Sequence, residues 1–235
     1  MIIIGCQVET TQNIDKNLDK VLNIIDEEMF NICIFPELHL TSYDFNYIKS
    51  LKHETIENYL IEIKNKLKEN QIVIVGTVWK RYNSAAIISK ENISFYHKNT
   101  LTKDDKTFFI ASKKIKTIEF MNYKIGFIIC RDQNNINLIN SYKNKKIDIL
   151  IQLSAHFYEP PIAIRKIDKN IALPIVRAID SNALLIKINS VGYLNNKISL
   201  GSSMIVNKKG VLLRQANKYN EEIIKFNIKE TKNVK

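Results

Sequence analysis

The sequence predicts an α/β protein, with sheets and helices stacked in layers and folded as a single domain. Three observations predict it. Over the first 80 residues, short apolar runs rich in β-branched side chains alternate with amphipathic helical segments in the order β-α-β-α-β. Further along, apolar runs recur between turn signals rather than between linkers. The 235 residues contain no internal repeat and no Pro-, Gly- or Ser-rich stretch, and that length suits one α/β domain.

Each element has its own warrant. Residues 2–8 form an apolar strand, and after it Ile14, Leu18, Val21, Leu22, Ile25 and Met29 fall on one face of a helix. "NICIF" (31–35) is a short buried strand stopped by Pro36, and "ETIENYLIEIKNKLKEN" (54–70) is a second helix leading to the strand "QIVIVGTVW" (71–79). Paired strands follow at 82–89 and 92–98, then at 114–120 and 124–130, with a short helix near 136–143 and a strand at 147–153. Residues 166–181 are helical in pattern, and Pro174 there marks a kink or a first turn. Strands at 183–190, 201–207, 210–215 and 222–228 complete the set, "NKKG" being a turn. The domain is expected over 1–230, with 231–235 as a short solvated tail.

Composition narrows the function classes. The formal charge is +11, but 30 of the 35 cations are lysines scattered along the chain, and the five arginines (Arg81, Arg131, Arg165, Arg177, Arg214) are isolated. A nucleic-acid groove gathers arginines and aromatics on one element, so no nucleic-acid partner is expected. The three cysteines, Cys6, Cys33 and Cys130, have no CxxC spacing and suggest neither a disulfide framework nor a metal site. "MIIIGCQVET" lacks the basic start of a signal peptide, and no run reaches the 18 apolar residues of a membrane span. A cytoplasmic, soluble protein with no membrane partner is the expectation.

Three reactive groups stand at strand ends: Glu37 in "CIFPEL", Lys98 in "FYHKNTL" and Cys130 in "FIICRD". Strand ends are where α/β layers present side chains to a ligand. A carboxylate that takes a thiol proton, an ammonium that favours thiolate and steadies an oxyanion, and an attacking sulfur make up acyl transfer through a thioester. Taken singly, each has a structural explanation: a buried cysteine, a loop-capping glutamate, one lysine among 30. Cys6 and Cys33 lie inside apolar runs and belong to the packed core.

"FPELHLTSY", "YHKNTL" and "GFIICRD" together resemble, in order, the three signature segments of the nitrilase (carbon–nitrogen hydrolase) superfamily. "YNSAAII" (82–88), "VRAIDSNALLIKINSVG" (176–192) and "LGSSMIVNKKGVLL" (200–213) extend the resemblance over nearly the whole chain. It implies a four-layer α-β-β-α sandwich, a homodimer through the outer helices, and hydrolysis of a non-peptide carbon–nitrogen bond without metal or cofactor. By this resemblance Glu37 is the general base, Lys98 the oxyanion stabiliser and Cys130 the nucleophile, with the Arg131 backbone N–H completing the oxyanion hole. Asp132 is assigned to the structure of the turn, tied to backbone or to Arg177.

The departures are specific. Where the family has a second glutamate, "TKDDKTFF" offers Asp105, one methylene shorter, and its reach to the lysine is open. Arg131 follows the cysteine where an aromatic residue is more usual; it either favours an acidic substrate or is simply solvated. "LSAHFYEPP" (153–161) is expected to be a loop lining the site, with Ser154, His156 and Phe157 toward the substrate and Tyr158 as a further wall; His156 either carries protons or only packs. The partners expected are water and a small amide or N-carbamoyl compound. Two rival readings remain: a catalytically silent binding or scaffold subunit, and a basic nucleic-acid-binding domain.

Overall fold

In the computed structural model of this chain the described residues are 1–229, so the expected tail at 231–235 lies outside the described residues. The chain runs through β1 (Ile2–Gln7), α1 (Ile14–Glu27), β2 (Ile32–Ile34), α2 (Phe45–Ser50), α3 (His53–Lys66), β3 (Ile72–Trp79), β4 (Tyr82–Ser89) and β5 (Ile93–His97). It continues through β6 (Thr117–Phe120), β7 (Tyr123–Ile129), α4 (Ile136–Asn144), β8 (Ile149–Ser154), β9 (Phe157–Tyr158), α5 (Pro160–Arg165) and α6 (Ile167–Ser181). The strands β10 (Leu184–Asn189), β11 (Gly192–Leu194), β12 (Lys197–Ser199), β13 (Met204–Val206), β14 (Leu212–Gln215) and β15 (Glu222–Asn227) follow.

Two six-stranded sheets form, in the orders β15-β1-β2-β3-β4-β5 and β14-β13-β10-β8-β7-β6. The period-two alternation of the strands decides what lies on either side. Ile3, Ile32, Ile34, Ile74 and Tyr96 of the first sheet pack against Phe127, Ile129, Ile151, Leu153 and Ile186 of the second. The opposite face of the first sheet, with Ile4, Cys33, Val73 and Val75, is covered by α1 and α3 through Leu18, Val21, Leu60 and Ile63. The outer face of the second, with Ile128, Leu150 and Leu185, is covered by α4 and α6 through Leu138, Ile139 and Ala178. The result is the four-layer α-β-β-α sandwich.

Three helices start where a polar side chain accepts a first free N–H group: Asn13 caps α1, Asp44 caps α2 and Asn135 caps α4. Pro174 is the eighth residue of α6, so it is an interior proline and not a first-turn one; the first-turn prolines are Pro160 and Pro161, which open α5. Lacking an N–H, Pro174 leaves the carbonyl of Asn170 without its helical donor. The Lys187 ammonium, fully buried on β10, donates to that oxygen at 2.8 Å.

Other local details differ from the sequence expectation. Cys130 is not the last residue of β7 but the first of a short 3-10 turn, Cys130–Asn134, with φ of 43°. The expected loop at 153–161 is mostly regular: Ser154 ends β8, Phe157–Tyr158 pair with β12, and α5 follows. Helix α2 and the hairpin β11–β12 were not foreseen. The hairpin had a local signal, since Asn195-Asn196 is a two-residue turn between "GYL" and "KIS", and Asn195 takes the left-handed conformation such turns need.

Candidate active site

The two sheets bring different strand ends to one place. In the first sheet β1, β2 and β3 are parallel, and in the second β7, β8 and β10 are parallel, so the segments leaving β2, β7 and β8 share an edge. The Glu37 N–H donates to the Ser154 carbonyl at 3.3 Å and fastens the two sheets together there. Pro36-Glu37-Leu38 crosses β3 directly over Gly76, where a Cβ would lie 2.2 Å from the Pro36 oxygen. Only glycine allows that crossing.

Glu37, Lys98 and Asp105 are all buried and joined through the ammonium. Lys98 Nζ lies 2.7 Å from Glu37 Oε1 and 2.8 Å from Asp105 Oδ2. The shorter carboxylate therefore reaches the lysine, and Tyr43 explains how it is aimed: its hydroxyl donates to Asp105 Oδ1 at 2.9 Å, while the Thr102 N–H donates to Oδ2 at 2.9 Å. On Glu37, Asn83 Nδ2 donates to Oε1 at 2.8 Å and the Ala155 N–H donates to Oε2 at 3.0 Å. The Cys130 thiol lies within electrostatic reach of Glu37, Lys98 and Asp105.

Two carboxylates facing one ammonium leave this buried cluster with an excess negative charge, and the ionisation of each group follows. Burial lifts Glu37 above the usual carboxylate range, with Lys98 pulling the other way. Burial also opposes the charge on Lys98, but Glu37, Tyr43, Cys130 and Asp105 together hold it well above its ordinary value. Burial opposes the charge on Asp105 too, yet Lys98 keeps it below the ordinary aspartate value. Burial and the Glu37 charge push the Cys130 thiol up, more than Lys98 brings it down. Burial thus favours the thiol form of Cys130, while Lys98 favours the thiolate. A half-buried thiol close to a buried carboxylate has a base at hand for its proton.

The turn carrying Cys130 is itself tied down. Asp132 accepts from the N–H groups of Ile129, Asn99 and Thr100 at 3.0, 3.0 and 2.6 Å and from the Tyr96 hydroxyl at 2.7 Å. Of the two partners expected for it, Asp132 takes backbone, with Tyr96 besides, while Arg177 reaches the Gln133 carbonyl and Asp180. These bonds hold a non-glycine residue in the left-handed region, which favours no side chain other than Asn or Asp.

The remaining sequence candidates divide. Ser154 contributes its carbonyl to Glu37, while its Oγ accepts from Gln152 Nε2 at 3.2 Å. His156 is buried, its N–H bound to Asn189 Oδ1, its ring stacked on Tyr158 and its Nδ1 without a partner. Burial, with the nearby Lys187 and Lys98, holds it neutral far below its ordinary range, which disfavours proton carriage. The Arg131 side chain is exposed and Phe157 is half-buried; no hydrogen bond or ion pair joins either side chain to the Glu37 cluster. Tyr43 and Asn83 were missed as site residues. Their signal was polarity in apolar surroundings: Asn83 opens the otherwise small and apolar strand "NSAAII", and Tyr43 closes the "FPELHLTSY" segment. Cys6 and Cys33 are buried in the first sheet with their sulfurs 3.5 Å apart, as core residues.

Among the described residues no helix is long and apolar enough to cross a membrane, and no group of three or more His, Cys, Asp or Glu side chains is arranged to hold a metal ion. A sequence model of the carbon-nitrogen hydrolase family matches residues 3–232. The glutamine-dependent NAD(+) synthetase of Acinetobacter baylyi is 26% identical over 226 residues, which are 90% of this chain and 41% of that protein. The chain thus spans about two fifths of the length of the curated relatives it matches. Among solved structures, the glutamine-dependent NAD+ synthetase of Acinetobacter baumannii superposes with a TM-score of 0.86 at 20% identity, over 97% of this chain and 46% of that one. A variant of the amidase from Nesterenkonia sp. AN1, with the acetamide moiety of fluoroacetamide added covalently at its active-site cysteine, superposes with a TM-score of 0.82 at 13% identity, over 96% and 89%.

Proposed function

Because the chain belongs to the carbon–nitrogen hydrolase family and is an enzyme acting on non-peptide carbon–nitrogen bonds, we propose that it hydrolyses the carboxamide of a small molecule, glutamine being the first candidate, through a thioester on Cys130. The observation that carries this reading is the buried Asp105–Lys98–Glu37 chain with the Cys130 thiol beside it. The similarity to glutamine-dependent NAD(+) synthetases supports a primary carboxamide as the group attacked.

The steps follow from the geometry. As the sulfur attacks the amide carbon, Glu37 takes the thiol proton, and negative charge gathers on the carbonyl oxygen. Lys98 and the backbone of the turn at Arg131 face that charge; a donor of this kind commonly contributes about 10²–10³ in turnover. Glu37 then returns the proton to the leaving nitrogen, ammonia departs, and the acyl group stays on sulfur. Water, deprotonated by Glu37, attacks the thioester and releases the acid with the thiol restored. The raised proton affinity of Glu37 suits a group that both takes and gives a proton.

The silent-scaffold reading rests on Asp105 being too short and on the altered turn after Cys130, and the 2.8 Å contact of Asp105 with Lys98 speaks against the first of these. The test is ammonia release from glutamine, ω-amides of dicarboxylic acids, short aliphatic amides and N-carbamoyl amines, with Cys130→Ser as control. Release from at least one amide should fall at least about 10³-fold in the variant. Equal release by the variant would remove Cys130 from the reaction, and no release across the panel would return the scaffold reading to first place.

A further inference from the structure

Asn83 is the least expected member of the cluster. It opens an inward-facing stretch of β4, is fully buried, and serves two site residues at once. Its backbone carbonyl accepts the Lys98 N–H at 2.9 Å, which sets the lysine in register, and its side-chain Nδ2 donates to Glu37 Oε1 at 2.8 Å. Its own Oδ1 is buried with no hydrogen-bond partner. A buried amide oxygen left unpaired is costly, and such an orientation persists where the other end of the amide makes a contact that matters.

What that contact does can be read from the two oxygens of Glu37. A carboxylate oxygen offers two in-plane acceptor directions. Oε1 receives both Lys98 Nζ and Asn83 Nδ2, so its directions are filled; Oε2 receives only the Ala155 N–H. We propose that Asn83 is a positioning residue that occupies Oε1 of Glu37 and so leaves Oε2 as the oxygen that takes the Cys130 proton. This rests on the reading of Glu37 as the base for Cys130. The charged and titratable groups facing Glu37 are Lys98 at the end of β5, Asp105 from the turn after it, Tyr43 from the segment after β2, Tyr158 on β9, and Cys130 in the turn after β7. Asn83 is the uncharged donor among them. Its hydrogen bond favours the ionised carboxylate, so its loss makes Glu37 hold a proton to higher pH.

The experiment follows the rate of Cys130 alkylation by chloroacetamide against pH, resolved by mass spectrometry with Cys6 and Cys33 as internal references, so it needs no known substrate. The proteins compared are wild type, Asn83→Leu, Asn83→Asp and Glu37→Gln, each checked for an unchanged thermal melt. In wild type, alkylation rises as Glu37 ionises, and Glu37→Gln loses that rise. In Asn83→Leu the midpoint moves up by about one pH unit, a tenfold slower reaction below it. Asn83→Asp, nearly isosteric and therefore the variant to use should the leucine protein not fold, moves it further, because an ionised aspartate adds a like charge beside Glu37. Midpoints unchanged in both Asn83 variants, with the Glu37→Gln effect present, overturn the role of Asn83 alone. A profile indifferent to Glu37→Gln overturns the base assignment, and the role of Asn83 with it.

Discussion

At the scale of single residues, Asp105 shows how a side chain one methylene short is made to work. Lys98 holds one of its oxygens and Tyr43 the other, so the carboxylate is stretched between two partners and stays ionised. Asp105→Asn keeps the shape but removes the charge facing the ammonium. We expect kcat to fall about tenfold to a hundredfold, the worth of one hydrogen bond to a charged group; an unchanged kcat would make Asp105 a structural residue only. Glu37, Lys98 and Cys130 were legible in the sequence because each is a reactive residue placed at the end of an apolar run. Tyr43 and Asn83 were not, because what marks them is a partner 62 and 46 residues away along the chain. At Cys130 the sequence displays the lysine that favours the thiolate, but not the depth of burial that opposes it.

At the scale of elements, the strands and long helices follow from periodicity, while the segments around the site do not. Residues 153–165 contain two prolines and mixed polarity, and they become β9 and α5 only because β12 pairs with Phe157–Tyr158 and gives them something to fold on. The interior proline of α6 is explained by a residue on another element. Lys187 replaces the N–H that Pro174 lacks, although burial lowers its ammonium to about 8. The two should therefore be coupled. In a Pro174→Ala background residue 174 can donate to Asn170 itself, and Lys187 is left as a buried cation without that acceptor. Lys187→Met should then cost less, or gain more, than in the wild-type background by about 1 kcal/mol, measured as a double-mutant cycle in urea. Strict additivity would show that the lysine and the proline are unrelated.

At the scale of the whole molecule, the layered sandwich was legible because apolar alternation along each strand names both faces it must cover. Its pH tolerance was not, since that depends on two histidines sealed inside. Burial holds His39 at about 3 and keeps His156 well below its ordinary range, so both are uncharged in the fold. Below pH 6.5 the unfolded chain binds protons that these two refuse, so their contribution to stability is present above that value and is lost as pH falls. Between pH 7 and 5.5 each should remove about 1 kcal/mol. Urea unfolding of wild type and His156→Gln at both pH values tests this: the variant should lose about 1 kcal/mol less, and an equal loss would exclude His156. A last property follows from β1, whose partners include β15, joining Ile2 to Asn227. Gln7 at its end likewise bonds to Asn217, Asn220 and Ser203. A chain emerging from the ribosome at about 5–20 residues per second must wait on the order of tens of seconds between making β1 and making the strand that covers its edge. During that interval one edge of an isoleucine-rich strand has no partner, so the first sheet is completed only when the last strand has been made.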